Sequence, residues 1–227
     1  MKFPFTQEQK TLHQIVLHLD DVQAPGLLNG QTGIALTLAH YARIRHQRPI
    51  GYVSDVLIDR ILNNLSCQAP LAFSTGLCGI GWAVEYLIQN HYMKGNSLDI
   101  CAPINQELMN YSLNRVQDFS LERGMEGWLH YLLAHLQGTS MHGMPFPHEY
   151  LMEWHEASVR ILQAPKACTP AFRELLFTLQ QCLHGEAWRY DLSLSRFSIP
   201  GIKPDTPLLG IRKGLCGYME THYLQAS

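Results

Sequence analysis

Four times along this chain a Gly-x-x-Gly opens a run of residues that is apolar on nearly every side. Gly30–Gln31–Thr32–Gly33 leads into residues 34–42, and Gly76–Leu77–Cys78–Gly79 leads into residues 80–88. Gly124–Met125–Glu126–Gly127 leads into residues 128–134, and Gly214–Leu215–Cys216–Gly217 leads into Tyr218 and the last residues. A helix that is apolar all round must be buried all round. The first glycines fall at 30, 76, 124 and 214, so the steps are 46, 48 and 90, the last being close to two periods. Self-similarity at roughly 40 to 47 residues marks stacked helical hairpins.

The repeat predicts an outer amphipathic helix, a glycine-rich turn and an inner buried helix. Glycine at the inner helix's entry lets neighbouring backbones approach closely. Stacked units bury a core that no single unit could bury alone. Closed into a toroid, the array would gather several helix N-termini around one mouth. Their N–H groups and positive dipole ends would favour negatively charged groups there.

The stretches 73–82 (FSTGLCGIGW) and 120–131 (SLERGMEGWLHY) resemble the lanthionine synthetase C-like family. The resemblance spans about Pro25 to Leu224. It implies an all-α fold, an α/α toroid of stacked helical hairpins in a single domain over 1–227. The count here is about nine helices with five inner ones, which is short of the seven hairpins of the family. An open array would leave an apolar flank that invites a partner or a second copy of the chain. Active family members use zinc to add peptide cysteine thiols to dehydrated Ser or Thr. The resemblance therefore implies a role in peptide modification, with a peptide or protein as partner.

Composition sets the outer limits. The chain has 227 residues, enough for one good-sized core, and its 46% hydrophobic and 16% charged residues point to a globular protein. A net charge of −2 gives no basic field for nucleic acid or an anionic membrane surface. No stretch approaches the ~20 apolar residues of a membrane span. The first ten residues lack the apolar core of a signal peptide. Six scattered cysteines then read as reduced thiols in a cytoplasmic protein.

In chain order, outer helices are expected over about 7–22, 52–66, 98–118 and 148–163. Inner helices are expected over about 30–44, 76–92 and 124–137, with a short last one from 214. Leu12, Ile15, Val16 and Leu19, then Val53, Val56, Leu57, Ile61 and Leu65, carry the first two outer faces at helical spacing. Ser97 is the expected N-cap of the third outer helix. Thr169–Pro170 reads as the N-cap and first residue of a fourth inner helix that lacks the glycine motif.

Family zinc sites place a Cys-His pair immediately before the first Gly of one motif and a further Cys in another. The matching positions here are Asn29, Thr75, Arg123 and Lys213, none of them a good zinc ligand. Cys78 and Cys216 lie inside their motifs, at equivalent repeat positions. They are the metal candidates of the chain, set against a plain reading as small thiols packed where backbones crowd. Asn29, Cys78, Glu126 and Cys216 are the binding candidates at the expected toroid mouth. Glu126, Glu220 and His130 are the catalytic candidates. Buried acids on a helical barrel serve as acid and base in glycoside hydrolysis, while acids such as Glu85 and Glu220 also serve to bond neighbouring helices. No cofactor is expected.

Three functions follow. The first is a diverged lanthionine synthetase C-like protein in a thioether-forming pathway. The second is a non-catalytic module binding a peptide or partner. The third is a glycosidase-like hydrolase with paired carboxylates.

Overall fold

Each of the four motifs starts a helix for the same reason: the chain before it closes back on the helix's first N–H groups. The computed structural model describes residues 5–65, 69–140, 143–164 and 168–224. Among them it holds nine α-helices and no strand. Four of the helices follow a glycine motif: α2 (Gln31–Ile44), α4 (Leu77–Gln89), α6 (Met125–Thr139) and α9 (Leu215–His222).

A helix leaves its leading N–H groups without intrahelical partners. Here carbonyls seven residues upstream take them. Gln31 and Thr32 donate to Ala24 and Pro25, at 2.8 and 3.2 Å. Leu77 donates to Pro70 and Met125 to Asp118, both at 2.9 Å. Leu215 and Cys216 donate to Leu208 and Leu209, at 2.8 and 3.0 Å. Inside two of these rings an α-turn adds a bond, Gly124 N–H to Ser120 O at 2.9 Å and Gly214 N–H to Gly210 O at 3.0 Å. The expectation of unoccupied N–H groups collecting anions is therefore corrected in part: the first N–H of each of these helices, and the second in α2 and α9, is spent on the turn.

The remaining helices are α1 (Gln7–Leu17), α3 (Arg48–Asn63), α5 (Ser97–Met109), α7 (His148–Gln163) and α8 (Pro170–Leu183). The residues buried in α3, α7 and α8 recur every three or four positions, as on one helix face. In α4, by contrast, every residue from Leu77 to Leu87 is buried, and in α6 every residue from Met125 to Leu136. The fourth inner helix is thus a correction: α8 buries Phe172, Leu175, Leu176 and Leu179, the face of an outer helix. Its start is as expected, with Thr169 accepting from the Phe172 N–H at 3.0 Å and Pro170 in the first turn.

The chain divides into two compact units. The first comprises Met1–Ser66, Ser74–Gly76 and Ser193–Ser227. In it α2 packs along α3, and α9 packs on α1 and α2. The 26–33 and 210–217 turns meet backbone to backbone, with Arg212 N–H donating to Leu28 O at 3.3 Å. A side chain at Gly210 would strike Leu28 O and Asn29, so only glycine permits the approach.

The second unit comprises Cys67–Phe73 and Leu77–Leu192. There α4, α5 and α6 pack on one another, and α8 packs on α6 and α7. Gly127 lies where a Cβ would strike Leu121 O and Phe73, which brings α6 close to that segment.

Boundaries differ from the sequence reading in three places. Helix α3 begins at Arg48, because Pro49 in the first turn has no N–H that the helix needs. Its Val56 is 47% exposed, and Ser54 takes a buried place by donating to Ala35 O at 2.8 Å. Helix α5 is capped by Asn96, not Ser97, and stops at Met109; Leu113 follows in a separate 3-10 turn, Leu113–Arg115. Helix α1 ends at Leu17 and turns Ile15 inward as expected, with Thr11 beside it, while Leu12 and Val16, and Leu19 in the 3-10 turn that follows, are only half-buried. Cys67 and His142, also considered in the sequence, lie outside the described residues.

Candidate functional site

In the second unit, three helices each turn a pair of polar side chains, four residues apart, toward a common interior. They are Glu85 and Gln89 on α4, Cys101 and Asn105 on α5, and Tyr131 and His135 on α6. Residues at i and i+4 share a helix face. The three faces meet, and the pairs interlock.

Glu85 and His135 are both fully buried, and His135 Nδ1 lies 2.5 Å from Glu85 Oε1. The other carboxylate oxygen accepts from Gln89 Nε2 at 2.8 Å. Gly138 leaves the room this oxygen occupies, since a Cβ there would collide with it. On the far side of the ring, Asn105 Nδ2 lies 3.0 Å from His135 Nε2. A carboxylate at Nδ1 and an amide donor at Nε2 place the imidazole proton on Nδ1. Tyr131 donates to Asn105 Oδ1 at 2.5 Å and stacks on the His135 ring, 5.4 Å between centroids and 14° between planes. Phe146 closes the ring's surroundings edge-on at 5.9 Å. Cys101 completes the cluster; burial pushes its thiol well above the usual range, and Tyr131 beside it works the other way. Glu85, Cys101 and His135 each bring one metal-ligating atom within 4.8 Å of the others.

The cluster connects outward through Gln89. That side chain also donates to Ala134 O at 3.0 Å and accepts from Gln137 Nε2 at 3.3 Å. Gln137 in turn holds the backbone of Tyr190, donating to its carbonyl at 3.1 Å and accepting from its N–H at 2.7 Å. Around these amides lies a half-open cleft of about 470 Å³, lined by Gln89, Asn90, Gln137, Arg189, Tyr190, Asp191 and Leu192. Its size is that of a small-ligand site, for which ~300–1,000 Å³ is usual.

The residues singled out in the sequence fall as follows. His130 is buried, its Nδ1 2.6 Å from Tyr190 Oη and its ring stacked on Phe73. The same Tyr190 oxygen accepts from Trp82 Nε1 at 2.9 Å. His130 is thus tied into the wall behind the cleft. Glu126 is buried in the first turn of α6. Cys78 is fully buried in the first turn of α4, and its thiol is pushed far up by desolvation. In the first unit, Cys216 is likewise fully buried and pushed up by burial. Asn29 is exposed and serves the turn through its backbone, donating to Ser74 O at 3.1 Å.

Glu220 pairs with His40, Oε2 to Nδ1 at 2.8 Å; among the described residues its other oxygen has no well-formed hydrogen bond, with the Thr37 hydroxyl close enough to help hold the carboxyl down. Burial raises this carboxyl, with His40 opposing. Glu85 and Glu220 thus each engage a histidine and bond neighbouring helices. A glycoside hydrolase needs two carboxyls facing each other across ~5 to 10 Å.

The zinc that the family resemblance implies does not fit at the glycine motifs. The positions before the first glycines hold Asn29, Thr75, Arg123 and Lys213. Among the described residues, the cluster of three ligating side chains contains neither Cys78 nor Cys216. Gln89, Cys101, Asn105 and His135 are not among the candidates that the sequence singles out. The signal that finds them is the polar i, i+4 pair repeated on the buried faces of three helices.

No protein-family model, no curated protein and no solved structure matches this chain.

Proposed function

We propose that this chain is a diverged member of the lanthionine synthetase C-like family, a shortened α/α toroid that holds a peptide during thioether-ring formation without closing the ring itself. The observation that carries the reading is the recurring turn, a Gly-x-x-Gly helix start closed by a carbonyl seven residues upstream in all four copies. Three steps of this kind, two of them of 46 and 48 residues, fit stacked hairpins. The five described cysteines are all unpaired thiols, which suits a reducing, cytoplasmic setting.

The binding locus in this reading is the cleft around Gln89, Asn90, Gln137 and Arg189. Arg189 and Asp191 bring a donor and an acceptor to this cleft, as an extended peptide backbone requires, while Gln89 and Gln137 are held in place by each other and by Tyr190. Ring closure is left out because the motif thiols are fully buried and the family's ligand positions are occupied by Asn, Thr, Arg and Lys.

The test uses a fluorescein-labelled linear peptide carrying one dehydrobutyrine and one cysteine. Fluorescence anisotropy reports binding, and alkylation of the remaining peptide thiol reports cyclisation. The expected result is saturable binding that Arg189→Ala weakens at least several-fold, with the peptide thiol consumed no faster than in buffer. Absence of binding, or thiol consumption accelerated by the protein, would contradict the reading.

A further inference from the structure

We infer that Glu85, Cys101 and His135 form a binding site for one divalent transition-metal ion of the zinc class. This departs from the metal-free chain expected from the glycine motifs, and it stands apart from the proposed peptide role.

The donor set suits such an ion. Carboxylate, thiolate and imidazole are the three side chains zinc takes. One carboxylate and one thiolate cancel a double positive charge, so the occupied site is neutral. That matters in a place where all three residues are buried from solvent. Three separate helices supply the donors, so the ion would pin α4, α5 and α6 together.

The surroundings can serve both the empty and the occupied site. Gln89 holds Glu85 by one oxygen and leaves Oε1 turned to His135 Nδ1. An ion between them takes Nδ1, and the imidazole proton moves to Nε2. Asn105 then answers by turning its amide over, accepting from Nε2–H with Oδ1 and donating to Tyr131 with Nδ2, at the loss of its long 3.4 Å bond to Pro145 O, from which the new Oδ1 must draw back. Tyr131, relieved of its bond to Oδ1, donates to the Cys101 thiolate beside it. Metal-bound histidines depend on such outer partners to fix the ring. The balance is one ion in and one proton out, the proton coming from the Cys101 thiol. A glutamine in place of Asn105 would be too long for this exchange, and a leucine would leave Nε2–H stranded.

The test uses the full chain and the metal alone. Protein as purified is analysed for zinc, then stripped with chelator and titrated with cobalt(II). The expected result is about one equivalent bound per chain, with the near-ultraviolet charge-transfer band that marks a thiolate–cobalt bond. Cys101→Ser is expected to lose that band and Cys78→Ser to keep it. Added zinc is expected to raise the wild-type unfolding temperature and chelator to lower it. A wild-type protein that takes up neither zinc nor cobalt overturns the inference, whatever the variants do. A band that survives Cys101→Ser overturns it too. Circular dichroism of each variant shows whether a lost band reflects a lost fold, in which case the wild-type titration decides.

Discussion

Each unit buries one glutamate against one histidine, and the two pairs are built differently. In the second unit Glu85 has both oxygens bonded and His135 both nitrogens, and neither residue reaches solvent. In the first unit Glu220 has one oxygen well bonded, the other has only the Thr37 hydroxyl near it among the described residues, and the His40 side chain is 18% exposed. The difference shows what burial demands. A closed network satisfies every polar atom and is costly to break at any member. A half-satisfied pair carries a standing penalty at its poorly bonded atom. The first design fixes three helices, while the second leaves a carboxyl whose charge the fold tolerates poorly.

Removing one member of the closed network has the largest expected effect. Glu85→Ala strands the Nδ1–H of His135, takes one of the two acceptors from Gln89 Nε2 and leaves a cavity, and should cost about 3–5 kcal/mol in urea unfolding. A loss below about 1 kcal/mol would mean the network is not closed in solution. A packing control on α6, the helix that carries His135, sharpens this. Gly127→Leu leaves the polar network alone but drives a side chain into Leu121 O and Phe73. It should cost about 1–3 kcal/mol or more, and an unchanged melting temperature would sink the close-approach argument.

The first-unit pair should respond with the opposite sign. Burial raises the Glu220 carboxyl above its ordinary 4.5. The folded state then holds the proton more tightly than the unfolded chain. The stability this provides is full below that ordinary value and is lost as pH rises through the raised one. Glu220→Gln removes the titration, so the variant should be no less stable than wild type at neutral pH and should lack this loss between acid and neutral pH. Parallel unfolding curves at pH 4 and pH 7 check it. A Gln variant clearly weaker than wild type at neutral pH would show that the two pairs are alike. The smallest effect belongs to Asn29→Ala, whose exposed side chain should matter by no more than about 0.5 kcal/mol in thermal melts.

The helical character was written plainly in the chain. Runs such as residues 80–88 allow little besides a buried helix, and Thr169–Pro170 announces its helix start unaided. The fourth inner helix was misread because Phe172, Leu175, Leu176 and Leu179 are apolar, while burial depends on which face has a neighbour. The polar cluster was less legible. Glu85, Cys101 and His135 are separated by 16 and 34 positions, and nothing local says that α4, α5 and α6 meet there. The seven-residue closures were not legible at all. They run between backbone atoms, and the side chains record them only through the glycines that make room.

That closure also decides how the glycine motifs should be understood, as turns spent on packing and not as open helix ends awaiting a ligand. Residue-resolved hydrogen exchange tests it most directly. The amides of Gln31, Thr32, Leu77, Met125, Leu215 and Cys216 sit at helix starts, where exchange is ordinarily fast for want of a partner. Their bonds to carbonyls seven residues upstream predict protection comparable to the interiors of α4 and α6. Exchange at the rate of exposed amides in all four turns would contradict the account.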